Sequence, residues 1–224
     1  MTKLDDAVLY GSVLTTGVVM LWHGCLAQKA HSQDHRQLTP TVALARLCIS
    51  EAGWDCFTSG DGLAIHEVIS RGSERQGVRY TSYARAYAQR LFGARPHDVP
   101  RLRWVGQINE ACDEPSDWPT TITSRRRDGT IQVSPHAPWS AYRAQCQHVM
   151  TVAAEISRLT IENVSEWSIC SQPVHDWGGH MDRARAERIG LVPVDCLPND
   201  AERTHNDFYC RPSLDASCVE VDRD

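Results

Sequence analysis

The sequence predicts a mainly α-helical fold with a small β component, and three observations carry the prediction. Apolar side chains recur at three- and four-residue spacing in several segments between residues 38 and 162, short runs of Gly, Pro and Ser separate those segments, and no strand–helix–strand alternation appears. At 224 residues, 42% hydrophobic and 23% charged, the chain can bury a sizeable core, enough for one domain with appendages.

Residues 7–27, AVLYGSVLTTGVVMLWHGCLA, carry no charge apart from His23 and are long enough to cross a bilayer as a helix. The residues before them do not suit an ordinary signal peptide, because Lys3 is outweighed by Asp5 and Asp6. The Gly, Ser and Thr content makes a weak membrane segment that resembles the signal-arrest-release segments of some phage endolysins; a helix packed on the domain is the alternative. A polar linker, Gln28 to Gln37, completes an N-terminal part, residues 1–37.

The helical domain is expected over residues 38–162. Thr39 can cap a helix with Pro40 in its first position, Val42, Ala45 and Ile49 supply the apolar spacing, and Gly53 is placed to end it in a left-handed cap. A second helix restarts at Asp61 with Ile65, Val68 and Ile69 on one face. Tyr80-Thr81-Ser82 reads as a loop and cap before an apolar stripe of Tyr83, Tyr87 and Leu91. Arg101 to Cys112 repeats the helical pattern with Trp104, Ile108 and either Cys112 or Val105. The proline-containing stretch 113–138 holds DGTIQV, a short β-hairpin or an extended loop. The longest helix, central to the domain, is expected from Trp139 to about Glu162, with Tyr142, Cys146, Val149, Ala153 and Ile156 as its stripe. Residues 163–224 read as an irregular, disulfide-linked extension with a helix near Asp182 to Ile189 and a strand-like run, Leu191 to Val194.

A net charge of −5 provides no basic field for a polyphosphate, so no nucleic-acid partner is expected, and Arg125-Arg126-Arg127 reads as a solvated loop. Nine cysteines without the paired spacing of a structural zinc site favour disulfides made in an oxidising compartment. The expected participants are Cys48, Cys56, Cys112, Cys146, Cys170, Cys196, Cys210 and Cys218, with Cys25 the odd one because it belongs to the N-terminal segment.

One carboxylate stands out. Glu51 falls in the last turn of the first helix, where the helix dipole slightly disfavours an acid, and a side chain there can reach beyond the packed face into a cleft. Around it the order is Ala45-Arg46, then Glu51-Ala52, then Gly62 with Ala64-Ile65, then Val68-Ile69-Ser70-Arg71. That order, over residues 40–72, is similar to the cell-wall hydrolases of the spore-cortex-lytic type. The resemblance implies a lysozyme-like fold and a peptidoglycan-degrading enzyme with Glu51 as its catalytic acid. The family's second glutamate is absent here and its asparagine falls on Ser70, so Ser70 and Arg71 carry over as substrate-binding supports alone. WVGQI around Trp104 and HDWGGHMD around Trp177 are similar to phage-associated wall hydrolases, and Trp54, Tyr80, Trp104 and Trp177 complete the expected substrate-binding set.

The implied chemistry needs one well-placed proton. Cleaving the bond between N-acetylmuramic acid and N-acetylglucosamine passes through an oxocarbenium-like transition state with proton delivery to the leaving oxygen. A glutamate against an apolar wall, here Ile49, Trp54 and Phe57, is suited to hold that proton near neutral pH. Asp55 and Asp61 are the second carboxylates a hydrolase would use. A lytic transglycosylase needs neither, because the substrate's own 6-hydroxyl closes the ring. No cofactor is expected on this reading.

Two other readings remain open. His175-x-x-Gly178-x-x-x-Asp182, followed by Glu202-x-x-His205, resembles D-alanyl-D-alanine-type metallopeptidases, with His175, Asp182 and His205 on zinc and Glu202 as base; packing of His175 and Trp177 in a structural turn is the bland version. The third reading is a virion or wall-associated structural protein on a degenerate lysozyme scaffold. The expected partners are peptidoglycan glycan strands, a membrane through residues 7–27, and virion proteins for a phage-encoded chain. The expected location is the periplasm or cell wall, or a phage virion.

Overall fold

Thr39 and Pro40 open the first helix as their chemistry dictates: the Thr39 hydroxyl accepts the Val42 N–H at 3.3 Å and Pro40 occupies the first turn, where its missing N–H costs nothing. The computed structural model describes residues 38–88, 103–125, 129–178, 183–196, 204 and 206–218. Those from Thr39 onward belong to one compact unit. The expected membrane segment 7–27, the linker, Cys25 and Leu91 lie outside the described residues. Among those described, no helix is long and apolar enough to cross a membrane.

Helix α1 (Pro40–Ala52) is the hub. Eight consecutive residues, Val42 to Ile49, are buried, so the helix is enclosed on all sides rather than along one stripe. It packs against α2 (Asp61–Gln76), α3 (Tyr80–Tyr87) and α4 (Arg143–Ile156). Helix α4 was expected at the centre. It buries only Cys146, Val149, Met150, Ala153 and Ile156, one face of an outer helix, so the centre belongs to α1. The expected single helix from Trp139 to Glu162 is also divided. A 3₁₀ turn, Trp139–Ala141, precedes α4, Tyr142 sits between them at φ −104°, ψ −10°, and a second 3₁₀ turn, Ile161–Asn163, leads into the one-turn α5 (Val164–Trp167).

Other expectations were right in place and wrong in kind. Helix α3 begins at Tyr80 itself, and Ala84, rather than Tyr83 or Tyr87, is its buried residue, with Ala88 buried at its C-cap. Among the described residues 103–112 the only helical element is a 3₁₀ turn, Val105–Gln107; Val105, Ile108 and Cys112 are buried as the spacing required, while Trp104 is half-buried. The 113–138 stretch does contain a hairpin: β1 (Thr121–Arg125) pairs antiparallel with β2 (Ile131–Pro135), which places Arg125 on a strand opposite Ile131. The tail is more ordered than expected. Strands β3 (Asp176–Gly178) and β4 (Val192–Val194), separated by α6 (Arg183–Arg188), flank β5 (Asp207–Cys210) in an antiparallel sheet of order β3-β5-β4.

All eight described cysteines are paired: Cys48–Cys56, Cys112–Cys146, Cys170–Cys196 and Cys210–Cys218. The protein is a disulfide-bonded, mainly α-helical fold with a small β part. Two buried carboxylates fasten the tail to α2. Asp61 receives the backbone and side-chain N–H groups of Asn206 at 3.0 and 2.8 Å and the Ser59 hydroxyl at 2.6 Å. Glu67 receives Arg71 Nε at 2.7 Å, the Ser168 hydroxyl at 2.6 Å and the Val174 N–H at 3.2 Å.

Candidate active site

Glu51 lies one residue before the end of α1 and is half-buried. The chain breaks there because Gly53 takes φ 74°, ψ −156°, a region essentially reserved for glycine, rather than the left-handed cap expected of it; its N–H still reaches the Ile49 carbonyl. A 3₁₀ turn, Gly53–Asp55, follows, and the Cys48–Cys56 disulfide closes the segment. Glu51, Gly53 and Trp54 thus sit on a loop pinned at both ends, with both sulfurs fully buried. The Ser50 hydroxyl approaches a Glu51 oxygen at 3.5 Å.

Trp54 is the link between this acid and an aromatic group gathered from three parts of the chain. Its ring stacks with Trp104 at 5.8 Å and with Tyr142 at 5.8 Å, and meets Trp139 at 6.2 Å. Trp118 joins Trp104, His136, Trp139 and Tyr142 at 4.8 to 5.0 Å. Trp139 is buried and anchors the group by donating its indole N–H to the Cys112 carbonyl at 3.0 Å. The Cys112–Cys146 disulfide fixes that carbonyl's neighbourhood to α4. Trp54, Trp104, Trp118, His136 and Tyr142 are half-buried, so their rings combine a packed side with an accessible one. Of these, only Trp54 and Trp104 were singled out from the sequence. Trp118 and His136 stand in loops without periodicity, and Trp139 and Tyr142 belong by spacing to the start and core stripe of the expected long helix; the one available signal was the density of Trp between 104 and 139.

The remaining expected site residues gather elsewhere. Ser70 and Tyr80 meet at the buried His66. The His66 Nε2 donates to the Leu159 carbonyl at 3.1 Å, which leaves Nδ1 as acceptor for the Tyr80 hydroxyl at 3.2 Å, with the Ser70 oxygen 3.3 Å from Nε2. Burial lowers the His66 pKa to about 4, the Leu159 carbonyl opposing it in part, and burial also raises that of the Tyr80 phenol. Arg71 is committed to Glu67. Ser70, Arg71 and Tyr80 therefore brace the scaffold in this structure rather than join Trp54. Trp177 stacks on Tyr87 at 4.4 Å, and Asp176 accepts the Tyr87 hydroxyl and Arg211 Nη2, the latter at 3.2 Å. Burial first, and Asp176 second, push the Tyr87 phenol upward.

The zinc set is represented by His175 alone, since Asp182, Glu202 and His205 lie outside the described residues. His175 is buried, its Nδ1 accepts the Arg211 N–H at 3.3 Å, and burial together with Arg71 and Arg75 lowers its pKa. Cys210 and Cys218 bring sulfur within 4.8 Å of it, but the two sulfurs are bonded to each other, and a disulfide lacks the thiolate that ligates a metal. Of the two acids named as second carboxylates, Asp61 is fully buried with both oxygens occupied by Ser59 and Asn206, whereas Asp55 is exposed.

No protein-family model, curated protein or solved structure matches this chain.

Proposed function

We propose that the chain is an exported, lysozyme-like muralytic enzyme that cleaves peptidoglycan glycan strands between N-acetylmuramic acid and N-acetylglucosamine, with Glu51 as general acid and base. The observation that carries the reading is Glu51 at a disulfide-pinned helix end, three residues from a Trp that opens a half-buried aromatic group. Sugar rings bind by laying their apolar C–H faces on such side chains, and a carboxyl set beside them is placed to exchange a proton with the leaving oxygen. With Asp61 buried and Asp55 left as the one second carboxylate a hydrolase would use, we adopt the transglycosylase form, which needs neither: Glu51 first protonates the leaving oxygen and then, as carboxylate, takes the proton from the substrate's 6-hydroxyl as the anhydro ring closes. Four disulfides favour assembly in an oxidising compartment.

Replacing Glu51 by Gln keeps size and hydrogen bonding while removing the transferable proton. Clearing of a peptidoglycan suspension should slow by about 10²–10⁴-fold with folding nearly unchanged. Chelator should have little effect. Loss on chelation or in His175→Ala, with Glu51→Gln harmless, would transfer the activity to the metallopeptidase reading; absence of any wall degradation would favour the structural protein.

A further inference from the structure

His136 is the imidazole of the aromatic group, and it stands on a segment with little freedom. Pro135 and Pro138 flank His136 and Ala137, which fixes two φ angles among four consecutive residues. The His136 backbone N–H donates to the Thr120 carbonyl at 2.9 Å, at the base of the hairpin. Its Nδ1 lies 3.0 Å from the Ala137 carbonyl, and because a carbonyl only accepts, Nδ1 carries the proton. In the neutral ring Nε2 is then an acceptor, and no hydrogen bond occupies it among the described residues. The half-buried ring lies parallel to Tyr142 at 5.4 Å and against the edge of Trp118 at 4.8 Å. Tyr142 in turn stacks on Trp54, three residues from Glu51.

We propose that His136 is a specificity-determining residue of the glycan site, its Nε2 accepting the amide N–H of a 2-acetamido sugar. The inference rests on reading the aromatic group as the glycan surface. Two indole donors of that group are spent inside the protein: Trp118 gives its N–H to the same Ala137 carbonyl at 3.0 Å, and Trp139 gives its own to Cys112. An acceptor framed by the rings of Trp118 and Tyr142 calls for a donor carried on a flat, partly apolar group. An acetamido substituent has that form, with a methyl to lie on a ring face and an N–H in its plane. A glucose unit carries only a hydroxyl at the same carbon. Because the imidazole is already held in place, little ordering cost falls on binding.

The test titrates tryptophan fluorescence with tetra-N-acetylglucosamine and with the glucose tetramer cellotetraose, in Glu51→Gln chains so that no sugar is turned over. With His136 present the acetamido tetramer should bind the more tightly. His136→Phe keeps a stacked ring and should weaken binding of the acetamido tetramer by about fivefold, the worth of one hydrogen bond, with cellotetraose unchanged. His136→Gln, whose amide oxygen reaches the Nε2 position, should recover part of the loss. An undiminished preference in His136→Phe would overturn the proposal, and so would equal losses for both sugars, which would reduce His136 to packing or to a hydroxyl contact. Failure of the His136-containing chain to bind either tetramer would overturn both this proposal and the glycan reading beneath it. The expected preference, together with no cleavage of peptidoglycan by the unaltered chain, would uphold the His136 contact and sink the enzymatic reading alone.

Discussion

Burial holds the His66 imidazole neutral down to about pH 4, because its two nitrogens are committed to a carbonyl and a phenol and its surroundings are closed to water. The ordinary value is 6.5, so in the window between the two the unfolded chain binds a proton that the folded chain refuses. The His66 contribution is therefore complete above pH 6.5 and falls as pH drops toward 4. From pH 6.5 to 5 the loss should be about 2 kcal/mol in denaturant unfolding. His66→Gln should show a flatter pH dependence over the same range; an unchanged slope would mean that His66 is accessible to protons. The sequence shows His66 and Glu67 only as polar residues between Leu63, Ile65 and Val68. Their inward placement was not legible in the stripe of Ile65, Val68 and Ile69, and Arg71, expected to bind substrate, is instead the partner of Glu67 four residues before it.

At the scale of elements, the readable features were those written locally. Thr39-Pro40, the Gly53 stop and the restart at Asp61 involve neighbours a few residues apart, and α1 and α2 form accordingly. The tail sheet was hidden because β3 and β5 are three and four residues long and their pairing joins segments about thirty positions apart, too short for periodicity to register. The aromatic group was hidden for the same reason: only the disulfide-closed loops bring Trp54, Trp118 and Tyr142 together. The Cys48–Cys56 bridge makes a direct prediction. Replacing both by Ala should cost about 2.5 kcal/mol from loop entropy in the unfolded chain. Wall-degrading activity at a temperature where the variant stays folded should fall as well, because Glu51 and Trp54 ride on that loop. Full activity in a destabilised variant would separate the loop's role in stability from the site.

For the whole molecule, the question is what joins the helical part to the C-terminal sheet. Asp61 and Glu67, both buried on α2, receive hydrogen bonds from Asn206, Ser168 and Val174, so buried carboxylates help to fasten the tail. Asn206→Ala removes one N–H from Asp61 and should destabilise by about 2 kcal/mol. If the tail opens separately, amides of β3 and β5 should exchange faster than those of α1; uniform loosening would make the fold one cooperative unit. The four disulfides among the described residues favour a protein that works outside a reducing cytoplasm. The most direct measurement is the mass of the muropeptides released from purified peptidoglycan by wild type and by Glu51→Gln. The account predicts disaccharide-peptides, carrying 1,6-anhydro-N-acetylmuramic acid, from wild type and none from Glu51→Gln. Glycan strands left intact with only peptide bonds cut, or the same glycan products from both proteins, would contradict it.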